Sequence, residues 1–177
     1  MLTERRRPKK TISATFRIDE DIHDVMQADA RTRRVSVNTL VNQLFDFYAN
    51  SDRFMGELGL VRITAPNFKR FLDAVPQDKL AALGEAAGKD LGKAYMLAKH
   101  GEVNLSSVLD YVQAFAHYGG YAMYNETETG GKKVIVLVHG FGMTGSVYIG
   151  AYVKPLFESV GCNPSTTLSE ESVVIEI

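Results

Sequence analysis

Residues 11–19 read TISATFRID, and this stretch determines how the first 50 residues are expected to fold. Apolar and polar side chains alternate strictly along it. The apolar positions are Ile12, Ala14, Phe16 and Ile18. The polar positions are Thr11, Ser13, Thr15 and Arg17. Alternation with a period of two is typical of a strand with one buried face, so the stretch predicts a half-buried β-strand.

Two amphipathic helices are expected to follow this strand. The first, over residues 20–34, has acids at its start and arginines at its end, as the helix dipole favours. Ser36 is a good N-cap for the second helix, whose apolar stripe includes Leu40 and Leu44. A lone strand and two helices bury too little apolar surface to be stable, so we expect a homodimer with the two strands paired antiparallel. The expected dimer core is Ile12, Ala14, Phe16, Ile18, Leu40 and Leu44.

Residues 9–50 resemble the ribbon-helix-helix family of DNA-binding proteins, the Arc/MetJ type. The matching segments are TISATFRIDEDI and RRVSVNTLVNQLFDFY. The chain departs from the family at Asp19, where a proline often follows the ribbon. It departs again at Val35, where glycine is common in the turn between the helices.

The resemblance implies an intertwined dimer that places a two-stranded ribbon in the major groove of double-stranded DNA. The residues expected to contact bases are Ser13, Thr15 and Arg17. The residues expected to contact the DNA backbone are Arg5, Arg6, Arg7, Lys9, Lys10, Thr11, Ser36 and Asn38. Cations at the N-terminus would supply a salt-dependent part of the affinity.

The distribution of charge is consistent with this expectation. The net charge is −1 over 177 residues, but residues 1–18 hold six cations and one acid. Residues 51–177 hold eleven cations and fourteen acids. A basic N-terminus is therefore joined to a mildly acidic body, and an electrostatic footprint on DNA is local.

The composition places the chain among globular proteins of one or two domains. It is 45% hydrophobic and 23% charged, and no apolar run approaches the ~18 residues that span a bilayer. No signal-peptide core is visible at the N-terminus. The single cysteine, Cys162, excludes an internal disulfide and fits a reducing compartment, so we expect a cytoplasmic protein.

Residues 60–177 predict an α+β domain with a small antiparallel sheet, joined to the first domain by a linker at 51–59. Gly130 and Gly131 predict a hairpin turn, and Asn104 and Ser146 are expected to cap helices. The predicted strands are 60–64, 121–129, 132–139, 166–168 and 173–177, and the predicted helices are 67–75 (capped by Asn67), 76–99, 104–119 and 146–161.

Gly84, Gly88 and Gly92 lie on one face of a predicted helix. Each glycine costs about 1 kcal/mol relative to alanine, so a close backbone approach is expected there. The partner expected first is another part of the same chain. A second subunit or a ligand cleft is the alternative.

The segment Val134–Ser146, VIVLVHGFGMTGS, looks like the strand and oxyanion loop of α/β-hydrolases. No GxSxG motif follows, and 38 residues after His139 leave too little chain for the rest of a triad, so no enzymatic activity is expected. The glycines before Ser146 could also cradle a phosphate, but no Walker lysine follows them.

His100, His117, His139 and Cys162 are candidate metal ligands, as in nickel-responsive repressors that carry a ribbon-helix-helix. Their spacing matches no ligand motif, so neither a metal nor a cofactor is expected. The aromatic residues between Phe115 and Phe157 are expected in the core or around a pocket for an apolar effector.

The sequence therefore predicts a DNA-binding transcriptional regulator, a repressor or an activator, acting as a dimer or tetramer. Its C-terminal domain would sense a small molecule or set the oligomeric state. The alternative is an antitoxin-like module whose C-terminal domain binds a protein partner.

Overall fold

A computed structural model describes residues 10–56, 59 and 61–177. The chain divides into two compact units, Met1–Phe45 and Asp46–Ile177. The predicted linker, residues 51–59, begins inside a helical segment, because residues up to Met55 are helical.

The first unit contains two helices, α1 (Glu20–Arg33) and α2 (Val37–Phe47, which runs into the second unit). Residues 10–19 precede them and form neither a helix nor a strand within the single chain. A strand needs a hydrogen-bonded neighbour, and the described part of one chain supplies none here. The predicted ribbon strand therefore stays an expectation about a pair of chains.

The turn between α1 and α2 does not require a left-handed backbone at Val35. Arg34, not Val35, takes the left-handed conformation, with φ of 56°. The Val35 amide then donates to the Ala30 carbonyl at 3.0 Å, which ends α1. Ser36 caps α2 as predicted, because its Oγ accepts from the Thr39 amide at 3.0 Å.

The helices of the second unit begin with a π-helical turn, Tyr48–Asp52, and a single turn α3 (Arg53–Met55). α4 spans Ala65–Asp73 and is preceded by Thr64, with Pro66 in its first turn. The cap predicted at Asn67 is wrong, since that residue lies inside α4. The strand predicted at 60–64 is not formed by residues 61–64, and Leu60 lies outside the described residues.

The long helix predicted over 76–99 is divided by a second π-helical turn. It consists of α5 (Gln77–Ala87), the turn Gly88–Gly92, and α6 (Lys93–His100). α7 (Leu105–Gly119) follows and begins with the predicted cap. Asn104 Oδ1 accepts from the Ser107 amide while Ser107 Oγ accepts from the Asn104 amide, both at 2.9 Å.

The sheet is antiparallel, with strand order β1-β2-β4-β3. Its strands are β1 (Met123–Thr129), β2 (Lys132–Val138), β3 (Ser165–Leu168) and β4 (Ser172–Glu176). The predicted hairpin turn is confirmed: Gly130 and Gly131 both have positive φ, 62° and 79°, as a two-residue type I′ turn requires. Ile135 and Leu137 of the central strand are fully buried on one face.

α8 (Gly142–Glu158) connects β2 to β3 and contacts α5, α4, α7 and the sheet. It begins four residues before the predicted start at Ser146 and ends three residues before the predicted end at Gly161. Ser146 is therefore not a cap. Its side chain is fully buried inside the helix. The second unit is thus an α+β fold with a single core, and α8 lies at its centre.

Candidate functional sites

The first unit has very little core of its own in a single chain. Among its described residues, Ala30 and Leu40 are the only buried apolar side chains. Of the predicted dimer-core residues, Ile12 is 90% exposed, Phe16 62% and Ile18 50%. The large apolar side chains exposed in this unit are Ile12, Phe16, Ile18, Ile22, Val25, Leu44 and Phe45.

One apolar side chain of residues 11–19 contacts α2. The rings of Phe16 and Phe45 meet edge to face, with their centroids 5.6 Å apart. Ala14 is exposed, as is Leu44 on α2. Of the six residues predicted for the dimer core, only Leu40 is therefore buried before a second chain is added.

The predicted DNA-contacting residues that the structure describes are all exposed: Lys10, Thr11, Ser13, Thr15, Arg17, Ser36 and Asn38. Arg5, Arg6, Arg7 and Lys9 lie outside the described residues. The first intrahelical bond of α2 runs from the Leu40 amide to the Ser36 carbonyl, at 3.1 Å. The amides of Val37 and Asn38 therefore point out of the helix start, as a phosphate contact requires.

The glycine face of the second unit packs against α8, as the intrachain interpretation predicted. A Cβ on Gly84 would lie 2.5 Å from the Tyr148 carbonyl oxygen. A Cβ on Gly88 would overlap the Tyr152 carbonyl, and one on Gly92 would overlap the Leu156 side chain. The glycines thus allow α8 to approach the α5–α6 segment closely, which fixes the positions of Tyr148 and Tyr152.

Next to this contact lies a cavity of about 660 Å³, which we call the aromatic cavity. Phe115 stacks on Tyr121 and on Tyr152, with centroid separations of 4.5 and 4.6 Å. Phe68 meets Tyr121, Phe141 and Tyr148 edge to face. The aromatic residues of its wall are Phe47, Phe68, Tyr111, Phe115, Tyr118, Tyr121, Phe141, Tyr148 and Tyr152.

The phenol groups of this wall differ in their partners. Tyr111 and Tyr152 hydrogen-bond to each other, and Tyr118 donates to Asp46 at 2.6 Å. The hydroxyls of Tyr121 and Tyr148 have no hydrogen-bond partner among the described residues. Burial raises the pKa of both, and burial together with Asp46 raises the pKa of Tyr118 to about 12. All these phenols are therefore protonated donors at neutral pH.

The hydrolase-like segment does not present a nucleophile. His139 Nδ1 accepts from the Phe141 amide at 3.2 Å, which places the imidazole proton on Nε2. Nε2 then donates to Ser146 Oγ at 2.9 Å, and Ser146 donates its own proton to the Ser169 carbonyl. Burial lowers the pKa of His139, which keeps the ring neutral. A general base would accept the proton of the serine hydroxyl. Here the hydrogen bond runs in the opposite direction, from His139 to Ser146, so His139 does not activate the serine as a nucleophile.

The structure also corrects the phosphate-binding loop that was considered for the same segment. α8 already begins at Gly142, and the Ser146 hydroxyl is used inside the fold. A phosphate at this helix start would therefore not reach Ser146.

The four candidate metal ligands do not form a site. His100 pairs with Asp110 at 3.0 Å, His117 is exposed beside Tyr118, and His139 is bound to Ser146. Cys162 is half-buried. Across residues 10–56, 59 and 61–177, no three His, Cys, Asp or Glu side chains are grouped so that they could hold a metal ion.

The sequence offered the core or a pocket as the place of the aromatic residues between Phe115 and Phe157, and the structure places several of them in the wall of a cavity. The π-helical turn at Tyr48–Asp52 also contributes Ser51 and Asp52 to the wall, and no sequence signal marked it. Within the described ranges, no helix is both long and apolar enough to cross a lipid bilayer. No protein-family model and no curated protein matches this chain.

Proposed function

We propose that the protein is a sequence-specific DNA-binding transcriptional regulator that acts as a dimer. Residues 11–19 of two chains would pair as an antiparallel ribbon, and the four helices of the two first units would cover its apolar face. The ribbon would enter the major groove, where a two-stranded β-ribbon fits.

The exposed apolar surface of the first unit is the observation that carries the proposal. Ile12, Phe16 and Ile18 share one face of an alternating segment, yet half or more of each side chain is exposed in the single chain. Burying a side chain of this size contributes about 1.5–3 kcal/mol. A second copy of the same segment would bury all three in both chains.

The polar face of the segment supports DNA as the ligand. When the helices cover the apolar face of the ribbon, Ser13, Thr15 and Arg17 lie together on the opposite face. All three are exposed in the single chain. An arginine guanidinium can donate two hydrogen bonds to a guanine edge, while hydroxyls can contact bases in several ways. The exposed start of α2 would hold a backbone phosphate near Ser36 and Asn38.

Binding-site selection with the purified full-length chain tests the proposal. Genomic fragments are retained on the protein at physiological salt, sequenced, and then measured individually in gel-shift titrations against shuffled duplexes. We expect an enriched inverted repeat, bound about a thousandfold or more tightly than shuffled DNA. Equal affinity for selected and shuffled duplexes would contradict the proposal.

A further inference from the structure

We propose that the aromatic cavity of the second unit binds a small, flat, neutral organic molecule of two or three rings that carries a hydroxyl or carbonyl group. The proposal stands on the cavity alone and does not depend on DNA binding. It assigns a ligand class to a site within Asp46–Ile177.

The size of the cavity sets the size of the ligand. Its volume of about 660 Å³ lies in the range of 300–1,000 Å³ that is typical of small-molecule sites. An apolar cavity of roughly 150 Å³ accommodates benzene, so this one has room for a molecule of two or three rings.

The wall selects for a flat, apolar molecule. Phe115, Tyr121 and Tyr152 form a stack whose interplanar angles are 4° and 16°. The ring of Phe68 meets this stack edge to face, at an interplanar angle of 75° to the ring of Tyr121. A flat ring can add to such a stack or meet a ring edge, the two arrangements that aromatic quadrupoles favour.

The charges of the wall select for a neutral ligand. Among the described lining residues, Asp52 and Arg62 are the only charged side chains. They form an ion pair at 3.2 Å, and Arg62 also lies over the Phe47 ring. Since these charges already compensate each other, an ionised ligand would enter an apolar site without a partner of opposite sign.

Two hydroxyls are positioned to recognise a polar atom of the ligand. Tyr121 and Tyr148 both line the cavity, and neither hydroxyl has a hydrogen-bond partner within the described part of the chain. Neither oxygen is among the fully buried side-chain polar atoms that lack a partner in the described residues. Each hydroxyl can therefore donate to a molecule in the cavity. A hydroxyl or carbonyl oxygen of the ligand could accept from either.

The backbone of the wall has features that are common at binding sites. Ser51 and Asp52 come from one π-helical turn, and Leu91 comes from the other. π-helical turns occur often at functional sites, because the extra residue redirects side chains. The close contact of Gly84 and Gly88 with α8 holds the backbone of Tyr148 and Tyr152 against the α5–α6 segment.

Calorimetric titration of the full-length protein with three related probes tests the assignment. Naphthol is neutral and carries a hydroxyl, naphthalene lacks the hydroxyl, and naphthoate is ionised. We expect saturable binding of naphthol with one site per chain. Affinity should be about tenfold weaker for naphthalene, which forms no hydrogen bond, and weaker still for naphthoate.

Substitutions locate the site. Tyr121→Phe and Tyr148→Phe keep the ring and remove one donor each, so each should weaken naphthol binding about threefold to tenfold and leave naphthalene binding unchanged. Tyr124→Phe is the matched control, because that tyrosine lies outside the aromatic cavity and donates to Glu126. It should bind all probes like the unaltered protein.

Several results would overturn the proposal. These are the absence of saturable naphthol binding, equal affinity for naphthol and naphthoate, or no loss on replacing Tyr121 and Tyr148 together. Tighter binding of decanol than of naphthol would replace a flat ligand by an aliphatic one. None of these results involves DNA, so they are distinguishable from a failure of the proposed regulator.

Discussion

At the scale of single residues, Arg17 is expected to carry base recognition. Arg17→Ala should weaken binding to the selected DNA site by about 1–3 kcal/mol, because it removes a paired donor to one guanine. Fluorescence anisotropy with labelled duplexes measures the change. Substituting each base of the site in turn should show relaxed preference at one position of each half-site.

Arg17→Lys is the matched control for charge. Lysine keeps the cation but loses the planar fork, so binding to shuffled DNA should be unchanged while specific binding falls. A parallel loss on specific and shuffled DNA in both variants would mean that Arg17 contacts only the DNA backbone.

Gly88 provides a prediction about packing. In Gly88→Ala, the added methyl group would overlap the Tyr152 carbonyl, so the free energy of unfolding should fall by about 1–3 kcal/mol. A helical Gly→Ala change without this obstruction would instead stabilise by about 0.4–1 kcal/mol. Urea unfolding followed by tyrosine absorbance reports on the correct unit, because all eight tyrosines lie in Asp46–Ile177.

Gly140→Ala is the control for this substitution. Gly140 has no atom within 4 Å of an added Cβ among the described residues, and its φ is not positive. The free energy of unfolding of the Gly140→Ala variant should therefore differ little from that of the unaltered protein. Similar losses in both variants would argue against the close contact between Gly88 and α8.

At the scale of elements, the ribbon predicts a specific pattern of disulfide cross-links. Residues that face each other across the two antiparallel strands have their side chains on the same side of the ribbon. Apolar residues must therefore face apolar residues of the second chain. This register requires the residue at the centre of the ribbon to face its own copy. The alternating stretch 11–19 is centred on Thr15. In a Cys162→Ser background, Thr15→Cys should therefore oxidise to a covalent dimer faster than cysteine at position 13 or 17, as non-reducing gels would show.

The comparison of position 15 with positions 13 and 17 supplies its own control. A side-by-side or parallel association would cross-link every exposed position at a similar rate. Uniform cross-linking along residues 13–17 would therefore contradict an antiparallel ribbon.

The N-terminal arm predicts a change in salt dependence. Deleting residues 1–10 removes Arg5, Arg6, Arg7, Lys9 and Lys10. Each lost phosphate contact should lower the slope of log affinity against log salt by about 0.9, so the dependence should become much flatter. Titrations at several salt concentrations measure this slope, and base preference should stay the same. An unchanged slope would mean that the arm makes no phosphate contact.

At the scale of the whole molecule, the two functions should separate along the chain. A fragment of residues 46–177 retains the buried core of the second unit and all of the described cavity wall. We expect it to fold, as circular dichroism would show, and to bind naphthol like the full chain. It should not bind DNA, because it lacks Arg17 and its net charge is negative. DNA binding by this fragment at physiological salt would contradict the proposed interface.

Local signals explain what could be predicted about the fold. The caps at Ser36 and Asn104 and the turn at Gly130–Gly131 each depend on residues at most a few positions apart, and all three are present. The predicted role of Ser146 as a cap failed for the opposite reason. Ser146 bonds to Ser169, which is distant in sequence and reaches it only because β3 and β4 pair.

The sequence by itself determined the helices, the hairpin and the alternating segment 11–19, because periodicity and capping act over one or two turns of chain. The tertiary structure alone decided that Gly84, Gly88 and Gly92 face α8 and that tyrosines from α7, α8 and the loop before β1 enclose a cavity. These residues are separated by tens of positions, so their meeting depends on how helices pack around the sheet, and no local pattern encodes it.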